Sequence, residues 1–342
     1  MKILHVSKLL GNNTNGIDYV VNRLIFHQNK LDGILASSVN TSEDSIFKSI
    51  RFLEGFDIVV FHNLYCFKSW ILIIFCIINK IPYIIFPHSG LTAASFEKSK
   101  KKKLIVMSIF LKKMIMNAAA VHFLNENEKE NSYRYYSRCF IVPNGIDVDF
   151  KYDIRYRKKY IAYLGRYDIN HKGIDLLLNS IKLVQNEFRS YGYKIIMHGY
   201  DPSKVSLNFI NEFVSNNNLA DLIIVCGPII NNYEKINFLS SSSAYVLTSR
   251  YEGLPITVLE ALSVNTPCLV TKGTNMAELI DEYGFGISCL TNLDDVTNMM
   301  VKFLKQKNEF NESRSYIIDN FGWEKISKSL ICEYKKSINY DK

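Results

Sequence analysis

The chain has 342 residues, which is enough for two domains of ordinary size, and its 48 % apolar and 22 % charged residues argue against a disordered protein. The net charge of +8 lies mainly in residues 1–150, and seven cations fall between Lys98 and Lys113. The seven cysteines are odd in number and form no C-x-x-C pair, which argues against a disulfide framework or a zinc site and predicts reduced thiols.

Short apolar runs alternate with longer helical patterns along the first 150 residues. No signal peptide precedes the first run, and the longest fully apolar run, Trp70–Ile78, is far shorter than the roughly 20 residues that span a bilayer. We therefore expect a cytoplasmic protein that is at most peripheral on the inner face of the cytoplasmic membrane. The predicted strands are Lys2–Val6, Ile58–Phe61, Tyr83–Phe86, Val121–Phe123 and Cys139–Val142.

A second series of strands and helices follows a charged stretch that begins after the motif VPNGID. Helices are predicted at Ile174–Phe188 and Ile256–Ser263. The alternation of strands and helices predicts an α/β protein with two doubly wound parallel sheets, divided near residue 150, with domains at 1–150 and 151–321. The predicted strands are Tyr160–Leu164, Lys194–His198, Leu222–Val225, Ala244–Thr248 and Pro267–Thr271.

The stretch EKSKKKKLIVMSIFLKKMIM joins a lysine cluster, Lys98–Lys113, to an apolar helical pattern. One interpretation is an interfacial helix that binds an anionic membrane surface. The other is a solvated helix start whose apolar remainder belongs to the core. The stretch holds no arginine and a single aromatic residue, so no nucleic-acid partner is predicted.

Polar loops follow three of the predicted N-terminal strands, where ligands of α/β sheets bind. The loop GNNTNG ends at Gly16, and its small residues could offer amides to a substrate. His62 in FHNLY and His88 in FPHSG each follow a strand. His88 is predicted to donate a hydrogen bond to a sugar hydroxyl or to act near the reacting centre, with a structural histidine as the alternative.

The segment YIAYLGRYDINHKGIDLLL places Arg166 and Lys172 in a loop between a strand and a helix that Gly173 opens. Two cations at the carboxyl end of a strand can clamp a diphosphate, the arginine through two parallel hydrogen bonds. The alternative is a pair of solvated loop cations.

The segment SRYEGLPITVLEALS places Glu252 before an apolar helix and Glu260 inside it. Pro255 is expected at the first helical position, and no side chain before it can cap the helix. The free amides near Ile256 and Thr257 then favour a phosphate group. Carboxylates on either side of that phosphate suit the hydroxyls of a ribose and a sugar, whereas the alternative is two surface glutamates.

The motifs VPNGID, GRYDINHKG and SRYEGLPITVLEALS, in this order, resemble the retaining glycosyltransferases of family four. The resemblance covers roughly Ile141–Gly286. It implies the GT-B fold, in which two Rossmann-like domains face each other across a cleft. The segment FGWEKI resembles the family's closing helix, so residues 322–342 are expected to pack back on the first domain.

The resemblance also implies roles for individual residues. The catalytic set is His88 beside the sugar, Arg166 and Lys172 on the diphosphate, and Glu252 near the transferred sugar. The donor-binding set is Gly16, Asn144, Gly145, Gly199, Gly253, Leu254, Pro255, Ile256, Thr257 and Glu260, of which Glu260 holds the ribose. The sequence departs from the family pattern at Asp201, Ser243 and Thr248, and Asp201 lies near the expected nucleotide-binding loop.

The predicted function is transfer of a hexose or N-acetylhexosamine from a nucleotide-diphosphate sugar, with a UDP-sugar favoured over GDP-mannose. The acceptor is a glycan or a lipid-linked molecule in bacterial surface polysaccharide synthesis. No cofactor or metal is predicted, because protein cations stabilise the leaving diphosphate. Two alternatives stay open: a UDP-GlcNAc 2-epimerase of the same fold, and a non-catalytic, membrane-associated subunit that binds nucleotide sugars.

Overall fold

The computed structural model describes residues 1–8, 16–62, 64–92, 111–148, 157–306 and 310–339. The chain divides into two compact units. We call Met1–Gly145 with Phe321–Lys342 the N-terminal unit, and Ile146–Asn320 the C-terminal unit.

A six-stranded parallel sheet, in the order β2-β1-β3-β4-β5-β6, forms the centre of the N-terminal unit. The chain starts in the interior of the sheet at β1, goes to one side for β2, and then returns to the other side for β3. The inner strands are almost fully buried and therefore consist of continuous apolar runs. The strands are β1 (Lys2–Ser7), β2 (Leu35–Asn40), β3 (Ile58–Phe61), β4 (Tyr83–Ile85), β5 (Ala120–Phe123) and β6 (Cys139–Ile141).

Helices cover this sheet, and the last helix of the chain packs against the first. Gly145 lies against the Trp323 ring so closely that an added Cβ atom would come within 2.4 Å of it. The helices are α1 (Gly16–Gln28), α2 (Ile46–Leu53), α3 (Phe67–Ile78), α4 (Lys112–Met116), α5 (Glu126–Glu130) and, at the C-terminus of the chain, α14 (Trp323–Asn339).

The C-terminal unit repeats this plan with the strand order β12-β11-β10-β7-β8-β9, again with every pair parallel. Its strands are β7 (Lys158–Leu164), β8 (Lys194–His198), β9 (Ile223–Cys226), β10 (Ser242–Leu247), β11 (Cys268–Thr271) and β12 (Gly286–Cys289). Its helices are α6 (Ile174–Leu183), α7 (Gln185–Tyr191), α8 (Val205–Asn216), α9 (Asn232–Ser240), α10 (Ile256–Leu262), α11 (Ala277–Tyr283), α12 (Leu293–Lys305) and α13 (Arg314–Phe321).

Three features differ from the sequence prediction. Strands β2 and β12 were not predicted; each lies at a sheet edge, where partial exposure replaces the apolar run with the mixed sequences LASSVN and GISC. The helix predicted over Ile174–Phe188 is two helices, because the backbone leaves helical geometry at Val184 (φ −114°, ψ 27°). Pro255 is the residue before α10 rather than its first helical residue, since its ψ of 110° is extended.

Within the described ranges, no helix has both the length and the apolar character needed to cross a bilayer. The lysine cluster Lys98–Lys113 lies outside the described residues up to position 110, so the membrane prediction for it stays a prediction. Lys112 and Lys113 begin α4.

Candidate active site

The predicted site residues of the C-terminal unit follow two adjacent strands, β7 and β10. These strands form the point at which the strand order reverses, because β8 and β9 lie beside β7 while β11 and β12 lie beside β10. Ligands of open α/β sheets bind in the crevice beyond the carboxyl ends of such strands. Arg166 and Lys172 come from the segment after β7, and Glu252 comes from the segment after β10.

Lys172 and Glu252 form a largely buried ion pair. The Lys172 Nζ lies 2.6 Å from Glu252 Oε1, and the two side chains are 15 % and 11 % exposed. The Ser249 hydroxyl donates to the same carboxylate oxygen at 2.6 Å. Although burial raises the pKa of Glu252, the positive charge of Lys172 and these hydrogen bonds hold it below its usual value. Glu252 is therefore a carboxylate that fixes the position of the Lys172 ammonium.

Arg166 contacts this pair through His171. The His171 Nε2 donates to the carbonyl of Tyr251 at 2.8 Å, so its Nδ1 accepts from the Arg166 guanidinium at 3.3 Å. Arg166 also reaches Asp168 at 3.3 Å, and its side chain is 54 % exposed. Arg166 is thus held loosely at the surface beside the buried Lys172.

Gly173 keeps the Lys172 loop against the neighbouring strand. Its φ of +60° is in the left-handed region, and an added Cβ atom would lie 2.0 Å from the Thr248 carbonyl oxygen. The Thr248 hydroxyl donates to the Gly173 carbonyl at 2.8 Å. Only glycine fits this position, which explains why a glycine separates Lys172 from α6.

Glu260 projects from α10 and is paired with a residue that the sequence did not suggest. The Lys235 Nζ, from α9, lies 2.5 Å from Glu260 Oε1, and the two side chains are 18 % and 9 % exposed. One turn before Glu260 on the same helix, Thr257 Oγ1 accepts a hydrogen bond from the Tyr245 hydroxyl at 2.7 Å. Burial raises the pKa of the Tyr245 phenol well above its usual value, and the negative charges of Cys268, Glu252 and Glu260 raise it further.

The loop from Glu252 to Pro255 is held by hydrogen bonds from Asn275, in the segment that follows β11. The side-chain amide of Asn275 donates to the carbonyls of Glu252 at 2.5 Å and Gly253 at 3.3 Å. Leu254 and Pro255 are buried. The Pro255 side chain makes no capping hydrogen bond, so α10 begins at Ile256 without a side-chain cap. The expectation that no side chain caps this helix holds although Pro255 is not at the predicted position.

In the N-terminal unit, His88 ends a chain of hydrogen-bonded side chains. His62 Nδ1 lies 3.0 Å from His88 Nε2, His62 Nε2 lies 2.9 Å from His5 Nδ1, and His5 Nε2 lies 2.9 Å from Gln28 Oε1. Burial lowers the pKa of His5 to about 4, that of His88 to about 3, and that of His62 well below its usual value. The three imidazoles are therefore neutral at neutral pH.

The backbone around His88 is strained and firmly held. His88 and Ser89 have φ values of 46° and 64°, in a region that residues with side chains seldom occupy. The Glu128 carboxylate accepts from the Ser89 amide at 2.5 Å and from the Leu124 amide at 2.7 Å. The Phe86 ring stacks on His88 with centroids 3.7 Å apart. Such outliers cluster at functional sites.

Two of the remaining predicted residues, Gly145 and Gly199, have a structural reason for glycine, and Gly16 has none among the described residues. Gly16 begins α1, and no described residue lies within 4 Å of its added Cβ atom. Asn144 is buried, and Gly145 accommodates the Trp323 ring. Gly199 accommodates the Tyr167 ring, since its added Cβ atom would lie 2.4 Å from that ring.

The structure thus joins Arg166, Lys172 and Glu252 through direct contacts and through His171, whereas Thr257 and Glu260 lie on α10, the helix that follows Glu252 in the chain. Gly16, His88, Asn144 and Gly145 lie in the N-terminal unit. Lys235, Asn275, His5 and Gln28 were not predicted. Each comes from an element distant in sequence, and only the histidine within the apolar strand KILHVS gave any signal. Across the described part of the chain, no group of three or more His, Cys, Asp or Glu side chains is arranged to hold a metal ion.

Comparison with known proteins agrees with this geometry. A sequence model of the family described as Glycosyl transferases group 1 matches residues 146–320. The chain is 25 % identical over 300 residues to the UDP-Gal:alpha-D-GlcNAc-diphosphoundecaprenol alpha-1,3-galactosyltransferase of Escherichia coli, covering 77 % of this chain and 70 % of that one. It is 23 % identical over 312 residues to an uncharacterized glycosyltransferase of Methanocaldococcus jannaschii, covering 85 % and 78 %.

The fold is similar to that of Anabaena Alr3699/HepE in complex with UDP-glucose. The TM-score is 0.77 with 12 % identity, and the match covers 98 % of this chain and all of that one. The prediction of the GT-B fold, with two Rossmann-like sheets, is confirmed by this likeness and by the two parallel sheets.

Proposed function

The chain belongs to the glycosyl transferases group 1, and on that premise we propose that it transfers a hexose or N-acetylhexosamine from a UDP-sugar with retention of anomeric configuration. GDP-mannose is the second donor that we propose to test. The acceptor is a glycan or a lipid-linked molecule. Neither a metal nor a cofactor is part of the proposed reaction.

The chemistry requires stabilisation of a leaving diphosphate. The bond between the sugar C1 and the β-phosphate oxygen breaks, and its electron pair stays on that oxygen. The acceptor hydroxyl forms the new bond to C1 from the same face, and its proton passes to the released phosphate oxygen. The enzyme's contribution is then fixed positive charge beside this oxygen, which is a preorganised electrostatic effect.

One observation carries the proposal: the Lys172 ammonium is held by the buried Glu252 at the point where the strand order reverses. A buried, positioned cation needs no reorganisation when negative charge develops beside it. Arg166, which is more exposed, can swing onto the phosphates and form two parallel hydrogen bonds. We also propose that the amides at the start of α10, where Pro255 supplies no side-chain cap, donate to the phosphates.

Glu260 supplies the second half of the donor site. A carboxylate offers about four lone-pair positions, so the bond from Lys235 leaves room for ribose hydroxyls. The ion pair with Lys235 fixes the position of the Glu260 carboxylate, in the same way that Lys172 and Glu252 fix each other. Glu252 can also accept from a hydroxyl of the transferred sugar through its second oxygen.

The acceptor proposal rests on the Escherichia coli relative, whose name specifies a diphosphoundecaprenol-linked N-acetylglucosamine as its acceptor. By analogy we propose a lipid-linked glycan of surface polysaccharide synthesis for this chain. Such a substrate places the reaction at the inner face of the cytoplasmic membrane. The lysine cluster Lys98–Lys113 is the proposed contact with anionic lipid.

The test mixes the full-length protein with UDP- and GDP-sugars, with and without a GlcNAc-diphospholipid acceptor, and measures free nucleotide and product. Nucleotide release that depends on the acceptor, with a product of the donor's anomeric configuration by NMR, is the expected result. An isomerised sugar without release would indicate the epimerase. Saturable binding without turnover would indicate the non-catalytic subunit.

A matched pair of variants links the activity to this site. Arg189 forms an exposed ion pair with Asp221 in the same unit, so Arg189→Met removes a positive charge away from the site. Lys172→Met removes one within it. Equal turnover by the two variants would contradict the proposed role of Lys172.

A further inference from the structure

The side chains of Gln28, His5, His62 and His88 form a chain that crosses the N-terminal sheet. His5 lies in β1, His62 directly follows β3, and His88 follows β4, so three neighbouring strands contribute one imidazole each. Gln28, at the end of α1, closes the inner end. Gln28, His5 and His62 are at most 1 % exposed, whereas His88 is partly exposed.

The chemistry of the amide oxygen gives this chain a direction. An amide oxygen only accepts, so His5 carries its proton on Nε2, opposite Gln28 Oε1. Because the imidazoles are neutral, His5 Nδ1 is then a lone pair, and His62 donates to it through Nε2. The same step repeats at His62 Nδ1, to which His88 donates through Nε2. His88 Nδ1 is left as an acceptor.

We propose that the Gln28–His5–His62 chain holds His88 in the tautomer protonated on Nε2, so that its Nδ1 accepts a hydrogen bond from a hydroxyl of the bound substrate. This proposal reverses the direction of the hydrogen bond in the sequence-based expectation, in which His88 donates to a sugar hydroxyl. Gln28, His5 and His62 are positioning residues, since they act only through His88. The hydroxyl contact rests on the proposed function, whereas the tautomer does not.

The residues around His88 fix the position of its ring, whereas the hydrogen bonds from Gln28 to His62 fix which ring nitrogen carries the proton. The left-handed backbone at His88 and Ser89 and the Glu128 carboxylate on the Ser89 amide set the position of the loop. Stacking on Phe86 sets the plane of the ring. A half-turn of the ring about its Cβ–Cγ bond would keep the stack but put Cε1 in the place of Nε2, and so would break the hydrogen bond to His62. With the ring held in this way, the protonation state of Nδ1 is decided by Gln28, three hydrogen bonds away.

Nitrogen-15 NMR of the histidines of the full-length protein, without substrate, tests the tautomer directly. In the wild type, His88 should be protonated on Nε2 and unprotonated on Nδ1. Gln28→Leu removes the acceptor, and because a buried N–H without a partner is costly, the protons should reverse and place one on His88 Nδ1.

Activity tests the hydroxyl contact separately. Gln28→Leu should lower kcat/KM by about tenfold, the effect of losing one hydrogen bond. Thermal unfolding confirms that the variant is folded. If His88 of the wild type is protonated on Nδ1, or if its tautomer is unchanged in folded Gln28→Leu, the proposal that Gln28, His5 and His62 set this tautomer is overturned. A reversed tautomer with an unchanged kcat/KM would contradict the proposed contact with a substrate hydroxyl. A wild-type protein that transfers no sugar would contradict the proposed function, but the NMR result on the tautomer would still stand.

Discussion

The two units place different chemistry at the same point of the same fold. Each sheet reverses its strand order beside its first strand, between β1 and β3 in the N-terminal unit and between β7 and β10 in the C-terminal unit. The C-terminal unit fills this position with ion pairs, Lys172 with Glu252 and Lys235 with Glu260 nearby. The N-terminal unit fills it with neutral imidazoles.

This difference shows how burial decides which polar groups are stable beyond the carboxyl ends of the strands in a parallel sheet. Charges are stable there only when each has a close partner, as in the C-terminal unit. Imidazoles can be buried without a counter-charge, because they become neutral instead. The first arrangement suits a diphosphate, and the second suits uncharged hydroxyls.

Acidification should separate the two units and has the largest expected effect. His5, His62, His88 and His122 have folded pKa values below the unfolded value of 6.5, with that of His122 lowered by burial to about 3. Protons then favour the unfolded state, so stability is complete above pH 6.5 and is lost as the pH falls toward about 4. Each histidine costs up to about 1.4 kcal/mol per pH unit.

The C-terminal unit should respond at lower pH. The contribution of Glu252 to stability is complete above its usual pKa of 4.5 and is lost as the pH falls from there through its lowered folded pKa. His171 is the described histidine of this unit whose pKa is lowered. Both tryptophans, Trp70 and Trp323, belong to the N-terminal unit, so tryptophan fluorescence during thermal unfolding reports on that unit. A tryptophan transition that does not shift between pH 7 and pH 5 would contradict the assignment of neutral buried histidines.

Lys172→Met tests the charged half of the comparison. If Lys172 stabilises the leaving diphosphate, kcat should fall by about 10²–10³-fold, as for the loss of one preorganised transition-state contact. The variant also removes the cation that pairs with the largely buried Glu252 carboxylate, and it should therefore lower the unfolding temperature. The double variant Lys172→Met/Glu252→Gln should recover stability without recovering kcat, whereas recovery of both would show that Lys172 acts only in folding.

Glu260→Gln should have a smaller effect that falls on binding. Losing the charged hydrogen bond to a ribose hydroxyl is expected to cost about 1.5–3 kcal/mol, which appears as a raised KM for the donor. The variant also leaves Lys235 without its carboxylate. Comparison with Lys235→Met and the double variant isolates the pair, and a normal KM in Glu260→Gln would remove Glu260 from the donor site.

The contrast between the units also explains what the sequence could predict. Arg166, Lys172, Glu252 and Glu260 lie in two continuous segments, each a strand, a loop and a helix start, so their spacing indicated a site. The chain from Gln28 to His88 draws on four separate elements, and the sequence indicated only that His62 and His88 each follow a strand. Edge strands β2 and β12 escaped prediction because exposure removes the apolar pattern on which strand prediction depends.

Two glycines provide the smallest and most local test. Gly145 is predicted by the resemblance to bind donor, yet its added Cβ atom would collide with the Trp323 ring at 2.4 Å. Gly145→Ala should therefore destabilise the N-terminal unit by about 1–3 kcal/mol, as in other overpacked cores. Gly16→Ala is the matched control for stability, because none of the residues that the structure describes lies within 4 Å of its added Cβ atom. If Gly145→Ala unfolds like Gly16→Ala but raises the KM for the donor, Gly145 serves the ligand and not the packing of Trp323.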